Sequence, residues 1–225
     1  MGREYPTSDG HLPRVRSFAR MPLSSQLLEN AVDQLATLPG IGRRTAMRMA
    51  LHLLRREQHE VARFSEAVRR LRDEVRYCAE CCNISDRPVC DICANPGRDR
   101  SIVCVVEDIR DVIAIENTRQ FKGLYHVLGG VISPMDGLGP EDLNSRQLFE
   151  RIGKGGIAEV VLALGATLEG DTTGFYLHRK LKEHGIEVSQ IARGISIGGE
   201  LEQVDEVTLG RSIADRKPYE QAMKR

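Results

Sequence analysis

The chain has 225 residues, of which 41% are hydrophobic, enough apolar material for one large domain or several small ones. Aromatic residues make up only 4% and tryptophan is absent, which argues against binding of single strands by stacking bases on aromatic side chains. The formal net charge is zero, but residues 1–77 carry 14 Lys and Arg against 9 Asp and Glu, and the remainder carries 18 against 23. The basic N-terminal third favours a polyanionic partner, and an ordinary solvated surface is the alternative.

Residues 1–20 are predicted to form a disordered leader, because they combine several Arg and His residues with little apolar periodicity. A transit peptide is the alternative interpretation. No apolar run in the chain approaches the roughly 20 residues that a bilayer-spanning helix needs. The sequence therefore predicts a cytoplasmic protein without a membrane partner.

Two amphipathic helices flank a glycine-containing hairpin. Apolar residues recur at helical spacing from Leu23 to Leu38, a second helix is predicted over 43–56 and a third over 58–77. Between the first two, Gly40 and Gly42 permit a tight turn whose free amides, with the N-terminus of the second helix, would form a phosphate-sized nest. This pattern predicts contacts to DNA phosphates that do not read sequence, and a plain interhelical turn is the alternative. The predicted DNA-binding residues are Gly40, Ile41, Gly42, Arg43, Arg44 and Arg48.

Four cysteines stand in the arrangement C-x2-C-x8-C-x2-C. Two thiolate pairs on short knuckles are the ligands that a tetrahedral Zn²⁺ needs, and in a reducing cytosol metal explains paired cysteines better than disulfides do. Four protein ligands leave no open position for water or substrate, so the pattern predicts one structural zinc per chain. The predicted ligands are Cys78, Cys81, Cys90 and Cys93.

Strands and helices alternate after the cysteine segment. The continuous apolar run over 101–106 is typical of a strand buried on both faces of a parallel sheet. The alternation predicts an α/β layer fold, and the tail from Ile195 onward is Gly-rich and then charged, without a period long enough for its own core. The further predicted elements are a helix over 109–118, a strand over 123–128, a helix ending at Arg151, a strand over 159–164, a helix over 173–184 and a strand over 186–191.

The strand that ends at Glu107 and the later run from Val160 to Asp171 resemble the Toprim domain of topoisomerases, primases and related nucleases. Glu107 matches the first-strand acid of that domain, and Glu169 and Asp171 match the end of its second motif. The resemblance implies an acidic crevice at the carboxyl ends of parallel strands. The alternative is that these three residues are ordinary acids in loops at strand ends.

The Toprim pattern is incomplete, because its usual pair of aspartates falls on Gly165 or Ala166 and on Thr167. The carboxylates that would hold a second metal contact and activate a nucleophile are therefore missing. This departure predicts no catalytic residue and leaves Mg²⁺ binding open.

A second glycine-rich segment, Gly153-Lys154-Gly155-Gly156, looks like a phosphate loop. The P-loop signature is absent and no Ser or Thr follows the lysine, so the sequence does not predict ATP hydrolysis.

The order of these modules is similar to that of the RecR family of bacterial recombination mediators. The resemblance covers about residues 21–217 and divides the chain into a leader (1–20), a helix-hairpin-helix domain (21–77), a zinc segment (78–97), a Toprim-like α/β domain (98–192) and a C-terminal oligomerisation tail (193–225). Its most specific strings are Leu38–Gly42, Cys78–Cys93, Ile102–Glu107, Ser133–Pro140, Glu169–Asp171 and Gly198–Glu200.

The resemblance implies a non-enzymatic scaffold for recombinational DNA repair, associated with the nucleoid. It implies a ring-like homo-oligomer, with a tetramer favoured, that surrounds single- or double-stranded DNA and works with RecO and RecF to load recombinase onto gapped DNA. The family's DNA contacts map onto Arg44 and Arg48, and Glu107, Glu169 and Asp171 are the candidate contacts to RecO. Arg43 occupies a position often held by proline in the family, which adds charge and is expected to loosen the helix start.

Two other functions stay open at this point. A Mg²⁺-dependent Toprim nuclease, topoisomerase or primase predicts DNA cleavage, relaxation or synthesis that Glu107→Gln abolishes. A zinc-ribbon regulator predicts a preferred DNA sequence, which the hairpin interpretation does not.

Overall fold

A computed structural model describes residues 25–196, 198–216 and 218 of the chain. The predicted leader over 1–20 lies outside the described residues, as does the end of the predicted tail over 219–225. The chain divides after Arg69 into two compact units. Within the described ranges, no helix has the length and apolar character to cross a membrane.

The first unit contains α1 (Gln26–Leu35), α2 (Arg43–Leu54) and the beginning of α3 (Gln58–Glu74). The Ser25 side chain caps α1 by accepting a hydrogen bond from the Leu28 amide at 3.3 Å. The buried core between α1 and α2 is small and consists of Val32, Ala46 and Ala50. Because two of these three residues are alanines, α1 and α2 can pack at a short distance.

The first helix ends at Leu35, earlier than the predicted Leu38. The amides of Thr37 and Leu38 bond to carbonyls three residues back, at 3.2 and 3.3 Å, so the chain tightens into turns before it enters the hairpin.

The second unit begins with the cysteine segment. Two short antiparallel strands, β1 (Arg76–Tyr77) and β2 (Ile84–Ser85), bring the ends of the first cysteine knuckle together. The one-turn helix α4 (Asp91–Ala94) follows Cys90.

A parallel sheet of four strands forms the centre of this unit, in the order β4-β3-β5-β6. The carboxyl ends of all four strands therefore lie at one edge of the sheet, and the chain changes direction beside β3, where α/β folds bind ligands. The sheet and its helices are β3 (Asp99–Val106), α5 (Ile109–Thr118), β4 (Gly123–Val127), α6 (Ser145–Gly153), β5 (Glu159–Ala163), α7 (Leu168–Lys182), β6 (Glu187–Gln190) and the later α8 (Glu206–Ala214).

Both faces of the sheet are buried, as the apolar run in β3 predicts. Val103 and Val105 pack in one cluster with Leu148 of α6 and Leu177 of α7. The alternate residues of β3 pack in a second cluster with Val112 of α5. This arrangement confirms the predicted α/β layer fold, because period-two alternation places successive residues of a strand on opposite faces.

Two helices of the second unit begin where the sequence did not predict a helix start. Helix α7 begins at Leu168 rather than at Thr173, because the Thr167 hydroxyl caps it by accepting a hydrogen bond from the Gly170 amide at 3.1 Å. Helix α8 was not predicted in the Gly-rich, charged tail. It begins where the Asp205 side chain accepts a hydrogen bond from the Thr208 amide at 2.8 Å.

Candidate nucleic-acid interface and metal site

The hairpin between α1 and α2 is a tight turn at Gly40. The φ angle of Gly40 is +76°, a left-handed conformation that glycine adopts without strain. The Ile41 amide donates to the Leu38 carbonyl at 3.0 Å and closes the turn. The backbone geometry at this position therefore favours glycine.

The N-terminus of α2 is open to an anion. Gly42 precedes the helix with no side-chain cap, and the first helical turn contains no acidic residue. A Cβ atom added at Gly42 would meet nothing within 4 Å among the described residues. The first amides of α2 thus keep their hydrogen-bonding capacity and the positive end of the helix dipole, which together favour a phosphate.

The three predicted arginines are not equivalent. Arg44 and Arg48 are exposed and, within the described part of the chain, have no hydrogen bond or ion pair. The Arg43 guanidinium instead binds Glu29 at 3.1 Å and also pairs with Asp33, both in α1. The Arg43 charge is therefore neutralised by carboxylates of α1. These ion pairs hold the first residue of α2 against α1, although the lack of proline at this position predicted a loose helix start.

The four predicted zinc ligands lie together and are all buried, with their Sγ atoms within 4.8 Å of one another. The Sγ atoms of Cys81 and Cys90 are 3.6 Å apart. A Zn–S distance of about 2.3 Å places the sulfurs of a tetrahedral site about 3.8 Å apart, so the cluster fits a zinc ion. A zinc held there by Cys78, Cys81, Cys90 and Cys93 would be architectural, because all four of its positions are taken by protein.

Backbone amides also point at these sulfurs. The Cys90 amide lies 3.3 Å from Cys78 Sγ, and the Cys93 amide lies 3.5 Å from Cys90 Sγ. Such bonds favour thiolates over thiols. Cys82, which follows the first pair, has a φ angle of +60°, so the knuckle turns through a left-handed residue that is not glycine.

Without a metal the thiols influence one another's protonation. A hydrogen bond from Cys93 lowers the pKa of the Cys81 thiol to about 6. Burial raises the pKa of the Cys90 thiol to about 11, and donation of the hydrogen bond to Cys81 raises the pKa of Cys93. The cluster can thus hold one negative charge readily, and further thiolates need a cation such as Zn²⁺ beside them.

Backbone carbonyls of the cysteine segment accept hydrogen bonds from β4 and from α6. The Val127 amide at the end of β4 donates to the Cys81 carbonyl at 2.8 Å. Arg151 of α6 donates to the carbonyls of Tyr125 and Glu80, at 2.8 and 3.5 Å. No local pattern in the sequence indicates the role of Arg151, because its partners are 26 and 71 residues away.

Glu107 directly follows β3 at the carboxyl edge of the sheet. Burial, together with the neighbouring carboxylates of Asp111 and Asp108, raises the pKa of Glu107. Asp108 and Asp111 are used locally, because each caps α5 by accepting a backbone hydrogen bond. Of these three acids, Glu107 is the one whose carboxylate does not cap α5 and can contact a ligand.

Asp171 is neutralised by two arginines from the C-terminal part of the chain. Arg193 binds its carboxylate at 2.6 Å, and Arg211 of α8 lies 3.6 Å from it. The pKa of Asp171 is lowered, chiefly by the hydrogen bond from Arg193. Arg193 also donates to the carbonyl of Gly165 at 3.4 Å, so a cation of the protein lies beside the turn where a Toprim enzyme has its aspartates.

The three acids of the Toprim-like face do not form a metal-binding group. Glu169 is half-buried in the first turn of α7, and the cysteine quartet is the one group in the described residues whose ligand atoms could share a metal ion. The structure brings the cysteines together and leaves Glu107, Glu169 and Asp171 outside any such cluster.

The start of α7 depends on a close backbone approach at Gly170. An added Cβ at Gly170 would clash with the Gly165 carbonyl oxygen, whereas at Gly174, on the next turn, the nearest atom would be Leu162 Cδ1 at 3.7 Å. We expect Gly170→Ala to lower the free energy of unfolding by about 1–3 kcal/mol. The matched change Gly174→Ala should raise it by about 0.5–1 kcal/mol, because alanine favours a helix. Urea denaturation of both variants checks this, and equal effects would contradict the close approach.

Four family models match the chain. They describe a RecR helix-hairpin-helix (residues 28–71), a RecR zinc finger domain with four cysteines (75–95), a Toprim domain (101–192) and a RecR C-terminal region (194–217). Relatives named Recombination protein RecR match over most of their length. Those from Bacteroides thetaiotaomicron and Porphyromonas gingivalis are 60% and 58% identical, over 85% and 89% of this chain and 94% and 97% of their own. The relative from Flavobacterium johnsoniae is 52% identical over 91% of this chain and 99% of its own.

Proposed function

This chain belongs to the RecR family of recombination proteins, and we propose that it serves recombinational DNA repair as a non-enzymatic, DNA-binding scaffold. In this proposal it forms a ring-like homo-oligomer, with a tetramer favoured, around single- or double-stranded DNA. With RecO and RecF it helps load recombinase onto gapped DNA, in the cytoplasm at the nucleoid.

The open N-terminus of α2 supports this function most directly. Its uncapped amides and the exposed guanidinium groups of Arg44 and Arg48, which no described residue pairs, are features that bind phosphate without reading a base. Sequence-independent contact is what a scaffold for arbitrary gaps requires. A sequence-reading regulator would need side chains directed at base edges instead.

A ring-like oligomer can bind DNA tightly even if each hairpin binds it weakly. Arg44 and Arg48 supply only a few phosphate contacts per chain, which give weak binding at physiological salt. Repetition of the same contacts around DNA converts later binding events into intramolecular ones and raises the overall affinity. The net charge of zero is compatible with this mechanism, because the contacts are local and repeated.

Exposed apolar side chains support self-association. In the C-terminal helix α8, Val207 and Ile213 are 68% and 59% exposed. In α3, Phe64 and Val68 are also exposed. Apolar residues that are exposed to this extent favour contact with another protein surface, and we assign the tail from residue 193 to the oligomer interface.

The Toprim-like face is assigned to a protein partner and not to catalysis. Gly165 stands where an aspartate is expected, the Thr167 hydroxyl is used to cap α7, and Asp171 is paired with arginine. In this proposal Glu107 and Glu169 offer carboxylates to basic groups of RecO, and Asp171 joins them when its arginines are displaced.

Light scattering of the zinc-loaded protein, with and without gapped DNA, tests this function. A Mg²⁺-dependent cleavage, relaxation and synthesis assay is run on the same sample. We expect an oligomer that binds DNA and leaves it chemically unchanged. A monomer that cuts, relaxes or extends DNA would instead establish the Toprim enzyme, and Glu107→Gln would then abolish the activity.

A further inference from the structure

A polar cleft of about 410 Å³ lies in the second unit, between the first cysteine knuckle, the amino-terminal ends of the strands and α6. Arg100 and Leu124 are the second residues of β3 and β4, so the cleft is at the opposite edge of the sheet from Glu107. Its lining includes no residue of the α2 hairpin or of the Toprim-like acids Glu107, Glu169 and Asp171.

Two arginines of this cleft have hydrogen bonds but no counterion. Arg151 is half-buried and donates to the carbonyls of Tyr125 and Glu80. Arg100 donates to the Cys93 carbonyl at 2.9 Å. Neither forms an ion pair with a carboxylate within the described ranges. Arg100 is exposed, whereas Arg151 is a partly desolvated cation with only neutral acceptors, which attracts an anion more strongly than an exposed one does.

The glycine-rich turn Gly153–Gly156, which lacks the P-loop signature, adds a third cation to the cleft. Lys154 lines the same cleft and has no ion pair among the described residues. Gly155 and Gly156 follow it with φ angles of +82° and +88°. The Lys154 and Gly155 amides bond to carbonyls at the end of α6, at 3.3 and 2.9 Å. The turn therefore offers a ligand the Lys154 side chain and a backbone at Gly156 that no Cβ atom covers.

The acids of the cleft do not cancel these charges. The Glu150 carboxylate accepts a hydrogen bond from Arg146 Nε at 2.9 Å, and Arg146 is not part of the lining. Of the described residues that line the cleft, Glu80 is then the one carboxylate left to face Arg100, Arg151 and Lys154. The side chains that line the cleft therefore carry a net positive charge.

We propose that this cleft is a second anion site, which binds a phosphate group carried by DNA or by a free nucleotide. Guanidinium groups bind phosphate oxygens in a bidentate way, and the lysine adds a point charge. The cleft is large enough for a nucleotide. No hydrolysis is included, because the residues that line the cleft include no Ser or Thr that could hold Mg²⁺ as in a P-loop enzyme.

The test removes two charges and keeps Arg151, whose bonds to Tyr125 and Glu80 support the fold. Arg100→Gln with Lys154→Gln is compared with Arg179→Gln with Lys182→Gln, which removes the same charges from the exposed end of α7. Gln147→Glu is a second variant, because it adds a carboxylate to the cleft at nearly constant size. Zinc content and thermal unfolding verify that each variant is folded.

Two probes distinguish the source of the phosphate. Binding of a labelled single-stranded oligonucleotide is measured over a NaCl series, and binding of deoxythymidine 5′-monophosphate is measured by saturation-transfer NMR. For DNA we expect a three- to tenfold loss of affinity in both cleft variants, and in the double variant a salt slope smaller by about 1.4 for two lost contacts. If the cleft binds a free nucleotide, we expect both cleft variants to lose the saturation-transfer signal of the nucleotide while their affinity for DNA stays unchanged.

Either result would support an anion site in the cleft and would show whether DNA or a free nucleotide binds there. Cleft variants that match the α7 control with both probes would overturn it. The nucleotide probe does not depend on the α2 hairpin, so a failure of this site and a failure of the proposed DNA scaffold are distinguishable.

Discussion

Cys78→Ser should release the zinc and lower the free energy of unfolding of the second unit by several kcal/mol. A structural zinc contributes about 10–16 kcal/mol of apparent binding energy in small zinc domains, and this energy is available only to the folded chain. The loss should extend past the knuckle, because the Cys81 carbonyl accepts a hydrogen bond from Val127 of β4. Metal analysis of the purified chain and thermal unfolding measure the two effects.

Cys82→Ser is the matched control, since it is the same chemical change beside the knuckle. Cys82 lies outside the quartet, so this variant should keep one zinc per chain. A Cys78→Ser protein with normal stability after zinc loss would show that the metal does not support the fold.

Arg44→Ala with Arg48→Ala should weaken DNA binding at least tenfold and flatten its salt dependence. Each lost phosphate contact lowers the slope for duplex DNA by about 0.9, so two contacts per bound protomer remove about 1.8. The zinc content should not change, because the hairpin and the cysteine segment belong to different units. Fluorescence anisotropy over a salt series provides both the affinity and the slope.

Arg55→Ala with Arg63→Ala is the charge-matched control. Both residues are exposed and, in the described part of the first unit, have no ion pair. We expect a smaller effect from this pair, because it is distant in sequence from the helix N-terminus that we propose binds the phosphate. An unaltered slope in the Arg44 and Arg48 variant would remove the hairpin from the DNA interface.

The sequence predicted those elements whose signals are local. Helix α5 has the predicted bounds Ile109–Thr118, because Asp108 can cap it and the chain turns at Arg119, whose φ angle is +58°. The strand ending at Val106 was recognisable as a continuous apolar run. The cysteine quartet was recognisable because ligand spacing within each pair is set by the knuckle itself.

What the sequence did not predict depends on distant side chains. The pairing of Asp171 with Arg193 and Arg211 joins residues 22 and 40 positions apart, and no periodicity indicates it. The start of α7 was missed for another reason. The predicted start was Thr173, whereas the cap at Thr167 and the acids of the first turn, which are local signals, give the true start at Leu168.

Arg43 joins α1 to α2 through partly exposed carboxylates, and dissolved ions weaken such pairs. Salt therefore acts on the protein as well as on the DNA. As its concentration rises, the phosphates are screened and the two helices that present the hairpin are held less firmly. A plot of binding against salt should then bend downward at high ionic strength, and only its low-salt portion counts phosphate contacts.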